Sequence, residues 1–265
     1  MTFPPSSIIA QAFPREVLHQ LIADDLRKDG RRFIERRSVT SSKTNCLSYS
    51  DGSAVLRLTT TAVMVSIRCQ ATPSSDSDPW FTLSVNYPGV VCVPSKPEIE
   101  PVLTSLLSSY PPLKPSSIAE PLPDHSWHFL INVTFLDMDG AELDAAIHAV
   151  SLAFSTLSLP VLALQDGVVV RTGSSLISSL DNYLFCGTFA YSNSHLLVDP
   201  CAFEVDNAES TFSLVFVSPV PVFDLSDDVI KRDKELSLAK LEYWSGSSLP
   251  VSIIDKACGL LREFV

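Results

Sequence analysis

Arg27-Lys28-Asp29-Gly30-Arg31 and, further on, Ser50-Asp51-Gly52-Ser53-Ala54 are the stretches from which the rest of the chain is read. The first follows a segment, Pro14 to Arg27, whose Val17, Leu18, Leu21, Ile22 and Leu26 recur at helical spacing. Proline suits the first turn of that helix, and Asp29-Gly30 is a stop signal. From Phe33 to Cys69 the texture turns alternating and β-branched. Asp51-Gly52 predicts a hairpin turn between a strand near 38–48 and one near 54–70.

Working outward, a further strand pair is expected over Trp80 to Val93, broken at Pro88-Gly89. Ile99, Val102, Leu103, Leu106, Leu107 and Tyr110 predict a second helix, although Pro101 is unwelcome in a helix interior. Pro111 to Pro123 holds five prolines and reads as a rigid loop. Trp127 to Leu136 reads as a buried strand. A helix follows with a stripe of Leu143, Ile147, Val150, Phe154 and Leu157, beside small Ala145, Ala146, Ala149 and Ala153. His148 to Leu164 is free of charge; it is too short to span a membrane and is interrupted by Pro160, so it reads as a buried helix and a turn. Strands are expected near 168–171, 183–191, 195–198 and 211–217, with Arg171 to Ser179 as a polar connector. Two closing helices are expected, one around Asp227–Tyr243 and one after Pro250. Strands and helices thus come in two similar successions, which makes the fold class mixed α/β (α+β) with an internal duplication.

Composition excludes several classes. At 46% hydrophobic and 18% charged, the 265-residue chain is a packed globular protein. Its 19 Lys and Arg face 30 Asp and Glu, a net charge of -11 that opposes nonspecific adsorption to nucleic acid or anionic membrane. The six cysteines and five histidines show no metal-ligand spacing, so no metal site and no cofactor are expected. No Gly-x-Ser-x-Gly elbow, phosphate loop or dinucleotide fingerprint occurs. The N-terminus lacks the charged start and apolar run of a signal peptide, and scattered cysteines fit a reducing compartment.

In order along the chain, Arg27-x-Asp29-Gly30-Arg31, Glu35-x-Arg37, Asp51-Gly52-Ser53-Ala54, Leu136-Asp137-Met138-Asp139-Gly140 with Leu143-Asp144-Ala145-Ala146, and Leu196-Leu197-Val198-Asp199-Pro200 resemble the motifs of RNase PH-type subunits of the eukaryotic RNA exosome. The likeness is nearest to the non-catalytic type. It implies one RNase PH-like domain over 1–265 with an N-terminal helix at 14–27 and two β-α-β-type halves, about 29–120 and 121–265. It also implies a hetero-hexameric ring of related subunits, cap proteins with RNA-binding domains, a processive ribonuclease docked below, and RNA passing through the assembly. A setting in nucleus, nucleolus and cytoplasm, without membrane attachment, goes with it. The motif residues Arg27, Asp29, Gly30, Arg31, Asp51, Gly52 and Asp199 are then structural.

The same resemblance bears on chemistry. A phosphate-dependent 3′–5′ exoribonuclease of this kind needs a cationic grip on phosphate and carboxylates near the leaving oxygen. The helix near 98–110, which carries an arginine in catalytic relatives, has neither Arg nor Lys here. The segment that is Gly-Gly-Thr-Arg-like in those relatives is Asp139-Gly140-Ala141-Glu142. Of two carboxylates expected six positions apart, Asp199 matches the first and Val205 replaces the second, flanked by Glu204 and Asp206. No catalytic residue is therefore assigned. The basic cluster Arg27, Lys28, Arg31, Arg32, Arg36 and Arg37 allows two readings. One is RNA backbone contact, with Arg32 and Arg36 facing solvent or RNA. The other, favoured, is pairing in which carboxylates such as Asp29 and Glu35 hold Arg31 and Arg37.

Overall fold

A computed structural model describes residues 12–74, 79–87, 98–114, 118–166, 168–177, 179–218, 237–246 and 249–264. In chain order the elements are α1 (Pro14–Ala23), β1 (Val39–Thr44), β2 (Gly52–Leu58), β3 (Thr61–Pro73), β4 (Phe81–Asn86), α2 (Ile99–Ser109), β5 (His125–Asp137), α3 (Glu142–Ser155), β6 (Ser158–Gln165), β7 (Val168–Leu176), β8 (Tyr183–Ser192), β9 (His195–Val198), α4 (Ala202–Asn207), β10 (Ser210–Ser218), β11 (Ser237–Gly246) and α5 (Val251–Glu263).

The central helix α3 organises the rest. Its apolar residues are not confined to one stripe, and a helix apolar on all sides must be covered on all sides. Leu143, Ala145, Ala146, Ile147, Ala149, Val150, Ala153 and Phe154 are all buried. α3 packs on β2 and β3 of one sheet and on β8 of another. The first sheet has the order β1-β2-β3-β5-β4, antiparallel except for β4 beside β5. The second, order β11-β10-β8-β9, is antiparallel throughout. β10 is buried along its whole length because it serves two cores. Val215 and Val217 join the core around α3, whereas Phe212, Leu214 and Phe216 pack with Ala257 and Leu261 of α5. A third cluster seats Leu18 and Ile22 of α1 against Ala190 and Leu197.

Several expectations are corrected. The helix expected to reach Arg27 ends at Ala23. Asp25 takes a left-handed conformation (φ 57°), and the N–H groups of Asp25 and Leu26 bond back to the carbonyls of Ile22 and Leu21, closing the helix by a Schellman turn. Leu26 is consequently 55% exposed, outside the apolar face assigned to it. Asp51-Gly52 is no hairpin turn. β1 and β2 pair across a longer loop, and the tight turn falls at Thr59-Thr60, so that the strand expected over 54–70 is two strands. Pro101 is harmless because α2 begins at Ile99, where first-turn N–H groups have no helical partner.

The charge-free run after α3 is not a turn but strand β6, paired with β7, which absorbs most of the expected connector at 171–179. A leucine-rich run of this length does not distinguish helix from strand by periodicity. Ser237–Gly246 is the edge strand β11, not the end of a helix from Asp227; residues 227–236 of that expectation lie outside the described residues, as do 88–93 of the strand pair at 80–93. β5, assigned by sequence to the second half, is paired between β3 and β4 in the first sheet.

Candidate functional site

The basic segment between α1 and β1 is folded against the C-terminal end of β9 by its own arginines. Arg27 is 5% exposed and forks onto Glu204, with Nε 2.8 Å from Oε1 and Nη2 2.6 Å from Oε2. Its remaining N–H groups donate to the carbonyls of Val198 (3.0 Å) and Asp199 (3.1 Å). Glu204 also accepts from the Cys201 amide at 2.9 Å, capping α4 while holding Arg27. Arg31 donates to Asp29 Oδ2 (2.7 Å) and to the Asp199 carbonyl (2.9 Å).

Arg37 reaches furthest in. Its Nη2 lies 2.7 Å from Asp199 Oδ1, and its backbone amide donates to Oδ2 at 2.7 Å. The guanidinium also donates to the carbonyls of Asp139 (2.8 Å) and Gly140 (2.9 Å) at the end of β5. Burial alone pushes the Asp199 carboxyl up, but the hydrogen bonds and charge of Arg37, helped by Arg31, outweigh it and hold it below the usual carboxylate range. Gly140 must be glycine on two counts. It sits at φ 78°, and a Cβ there would come within 2.3 Å of the Pro200 carbonyl oxygen.

Thus Arg31 pairs with Asp29 as the sequence indicated, whereas Arg37 pairs with Asp199 and not with Glu35, which instead caps the Arg32 amide. Arg32 is exposed. Arg36 is not: its side chain is 19% exposed, 3.9 Å from Asp144, with the guanidinium over the rings of Phe185 (5.0 Å) and Phe264 (5.7 Å). That corrects its assignment to solvent. Asp51 and Gly52 form a separate junction. The Asp51 carboxylate accepts from the Cys69 amide (2.8 Å) and from Arg171 (2.9 Å), and Gly52 lies where a Cβ would sit 2.7 Å from the Ala153 carbonyl oxygen. His148 is buried against Phe185, and burial pushes its imidazole down to about 3.

Beside the arginine clasp a cleft of about 740 Å³ opens between the starts of α2 and α3 on one side and α4 with the second sheet on the other. Gly140, Ala141 and Glu142 at the start of α3 form one wall, Val205 and Asp206 of α4 another. It therefore joins the two segments where sequence reading looked for phosphate and carboxylate functions. Glu98, Glu142, Asp206, Glu209 and Glu242 line it against two cations, Arg15 and Lys240, and Lys240 pairs with Glu242 at 3.2 Å. An anion would normally use the N–H groups at the start of α3. Here Glu142 places its own carboxylate there, 3.0 Å from the Gly140 amide. Burial raises the Glu142 and Asp206 carboxyls above their ordinary values. No three His, Cys, Asp or Glu side chains among the described residues converge as a metal site.

With two sheets sandwiching one helix and a cleft at the start of that helix, the family comparison becomes specific. Residues 35–160 match the RNase PH model, the 3′ exoribonuclease family, domain 1. Over that stretch the chain is similar to the RNase PH family. Exosome complex component rrp43 of Schizosaccharomyces pombe is 24% identical over 220 residues, covering 78% of this chain and 81% of that protein. Exosome complex component Rrp42 of Methanosarcina mazei is 26% identical over 266 aligned positions, covering 89% and 96%. A chain of an archaeal exosome core superposes with TM-score 0.71 at 20% identity over 98% of this chain and 99% of its own, which establishes the fold. The RNase PH-type fold is thus shared; the Arg27–Glu204 pair was missed by sequence reading. Its one local signal is the placement of Glu204 three residues after Cys201, the spacing of a capping box whose cap is usually Ser or Thr.

Proposed function

We infer that this RNase PH-type chain is a non-catalytic subunit of an exosome ring, which helps form the RNA channel and contacts neighbouring ring subunits and cap proteins, leaving hydrolysis to a docked ribonuclease. The observation that carries this reading is Glu142, whose carboxylate takes the anion position at the start of α3 inside a cleft of five carboxylates and two cations. A phosphate entering there meets five carboxylates against Arg15 and a Lys240 already paired with Glu242. Val205 supplies no carboxylate to the same cleft, and Asp199 is committed to Arg37. Within the basic segment, Lys28 and Arg32 are exposed; Lys28 lies over the Phe203 ring at 5.0 Å, which leaves Arg32 as the better placed of the two for an RNA backbone.

Two measurements test the reading. The isolated chain is expected to release no nucleoside diphosphate from single-stranded RNA, with or without inorganic phosphate. Co-purified with the RNase PH-type subunits of its own cell, it is expected to appear in a native mass spectrum as one member of a hetero-oligomer. Phosphate-dependent release by the chain alone, or failure to join any related subunit, would overturn it.

A further inference from the structure

The ribbon β6–β7 stands apart from both sheets. Among the described strands, β6 and β7 pair only with each other, and beyond the Ser158 amide, which donates to the Asp51 carbonyl at 2.8 Å, each presents an outer edge without a partner strand. The base of the ribbon is well held. Pro160 is buried, Leu159, Leu162 and Ile177 pack on the main core, and Arg171 reaches Asp51 at 2.9 Å. The outer positions differ. Leu164 is 65% exposed, Val168 62%, Val169 47%, Val161 46% and Leu176 72%. Five of the fourteen large exposed hydrophobic residues of the described chain fall on these two strands. Leu164 and Val169 are cross-strand partners and so project from the same face.

Charge decides what kind of partner fits. From Ser158 to Leu176 the ionisable residues are Asp166 and Arg171, the latter already paired, in a chain of net charge -11. Such a surface offers an RNA backbone or a basic peptide no complementary charge. It suits a neutral apolar protein face with a strand edge of its own, which can approach this acidic chain here without repulsion. Exposed apolar side chains on a ribbon with open strand edges, Leu164 and Val169 together on one face, mark an interaction surface and not a comfortable solvent face.

We propose that the β6–β7 ribbon is a docking surface for a second RNase PH-type subunit, which covers Leu164 and Val169 and lies along the ribbon edge. This rests on the ring-subunit reading above. The test co-expresses the full chain with the related RNase PH-type subunits and compares wild type, Leu164→Asp/Val169→Asp, and Val251→Asp, a control on exposed α5 surface. Wild type and control are expected in the complex, and the ribbon variant is expected to be depleted from it at least tenfold with its melting temperature unchanged. Should the aspartates prevent soluble expression, Leu164→Thr/Val169→Thr, which keeps β-propensity, carries the same comparison. Full retention of the ribbon variant alongside wild type overturns the surface while leaving ring membership standing. A wild type that joins no related subunit overturns both. A homo-oligomer that only the ribbon substitutions dissolve overturns the assigned partner in favour of a second copy of this chain.

Discussion

Arg37 and Asp199, 162 positions apart in sequence, meet 2.7 Å apart in the interior, with their side chains 3% and 4% exposed. Around this pair the start of the chain, the end of β5 and the end of β9 are held together. Removing one partner leaves the other charged in a site without water, which typically costs about 3–5 kcal/mol. Asp199→Ala is accordingly expected to lower the free energy of unfolding by that amount in urea titration. Arg37→Met combined with Asp199→Leu, which removes both charges, is expected to recover part of the loss. An Asp199→Ala protein as stable as wild type would show that the pair is structurally idle.

The carboxylates of this region respond to pH in opposite senses. Asp199 and Asp29 are held low: burial pushes both up, but Arg37 and Arg31 respectively outweigh it. Their stabilisation is present above the ordinary carboxylate pKa of about 4 and is lost as pH falls through the folded value. Asp144 and Glu142 are raised, chiefly by burial, with the Arg36 and Arg37 charges opposing. What they contribute is present below about pH 4 and is lost as pH rises through the folded value. Between about pH 7 and pH 5 the melting temperature is therefore expected to hold or rise, and then to fall steeply below about pH 4. Asp144→Asn is expected to flatten the upper part of that profile; a curve identical to wild type would contradict the assignment.

Gly140→Ala is expected to be among the most disruptive single substitutions in the chain. The new Cβ would press on the Pro200 carbonyl from 2.3 Å at a φ of 78°, and neither backbone can move without breaking the arginine clasp. A loss of about 3 kcal/mol or more, or failure to fold, is expected. Circular dichroism on the purified variant decides it.

Arg32 and Arg36 are expected to part company. Arg32→Ala, at an exposed site, is expected to change stability by no more than about 0.5 kcal/mol. Arg36→Ala removes a cation from between Phe185 and Phe264 and from the neighbourhood of buried Asp144, for a loss of about 1–2 kcal/mol. If RNA crosslinking to the assembled complex maps to this segment, it is expected at Arg32 and to vanish in Arg32→Ala.

The sequence was most legible where a local pattern had one physical solution. The α3 residues Leu143 to Phe154, the buried strand at 127–136 and the short strand at 195–198 were all read within a few positions of their observed bounds. It misled where two solutions share a pattern. Asp51-Gly52 is a good hairpin signal, yet Gly52 is there to let the end of α3 approach, a requirement set by a residue a hundred positions away. The Lys-Glu-Leu texture near 237–243 suits an exposed helix as well as the charged edge strand it forms. In the site, the absent cations and Val205 were visible directly, because absence needs no geometry. The pairing of Arg27 with Glu204 and of Arg37 with Asp199 was not, since nothing local specifies which of several carboxylates a buried arginine will meet.

The clasp also sets an order of events during synthesis. Arg27 and Arg37 bond to carboxylates 162–177 positions downstream, so these two arginines lack their ion-pair partners while the first sheet is being made. At roughly 5–20 residues per second, Asp199 leaves the ribosome some ten to thirty seconds after Arg37. For that interval Arg31 can pair with Asp29 but Arg27 and Arg37 wait for their carboxylates, and the segment before β1 is secured only when the strand ending at Val198 is complete. A truncated product ending before Asp199 would leave both arginines without the carboxylates that bury them.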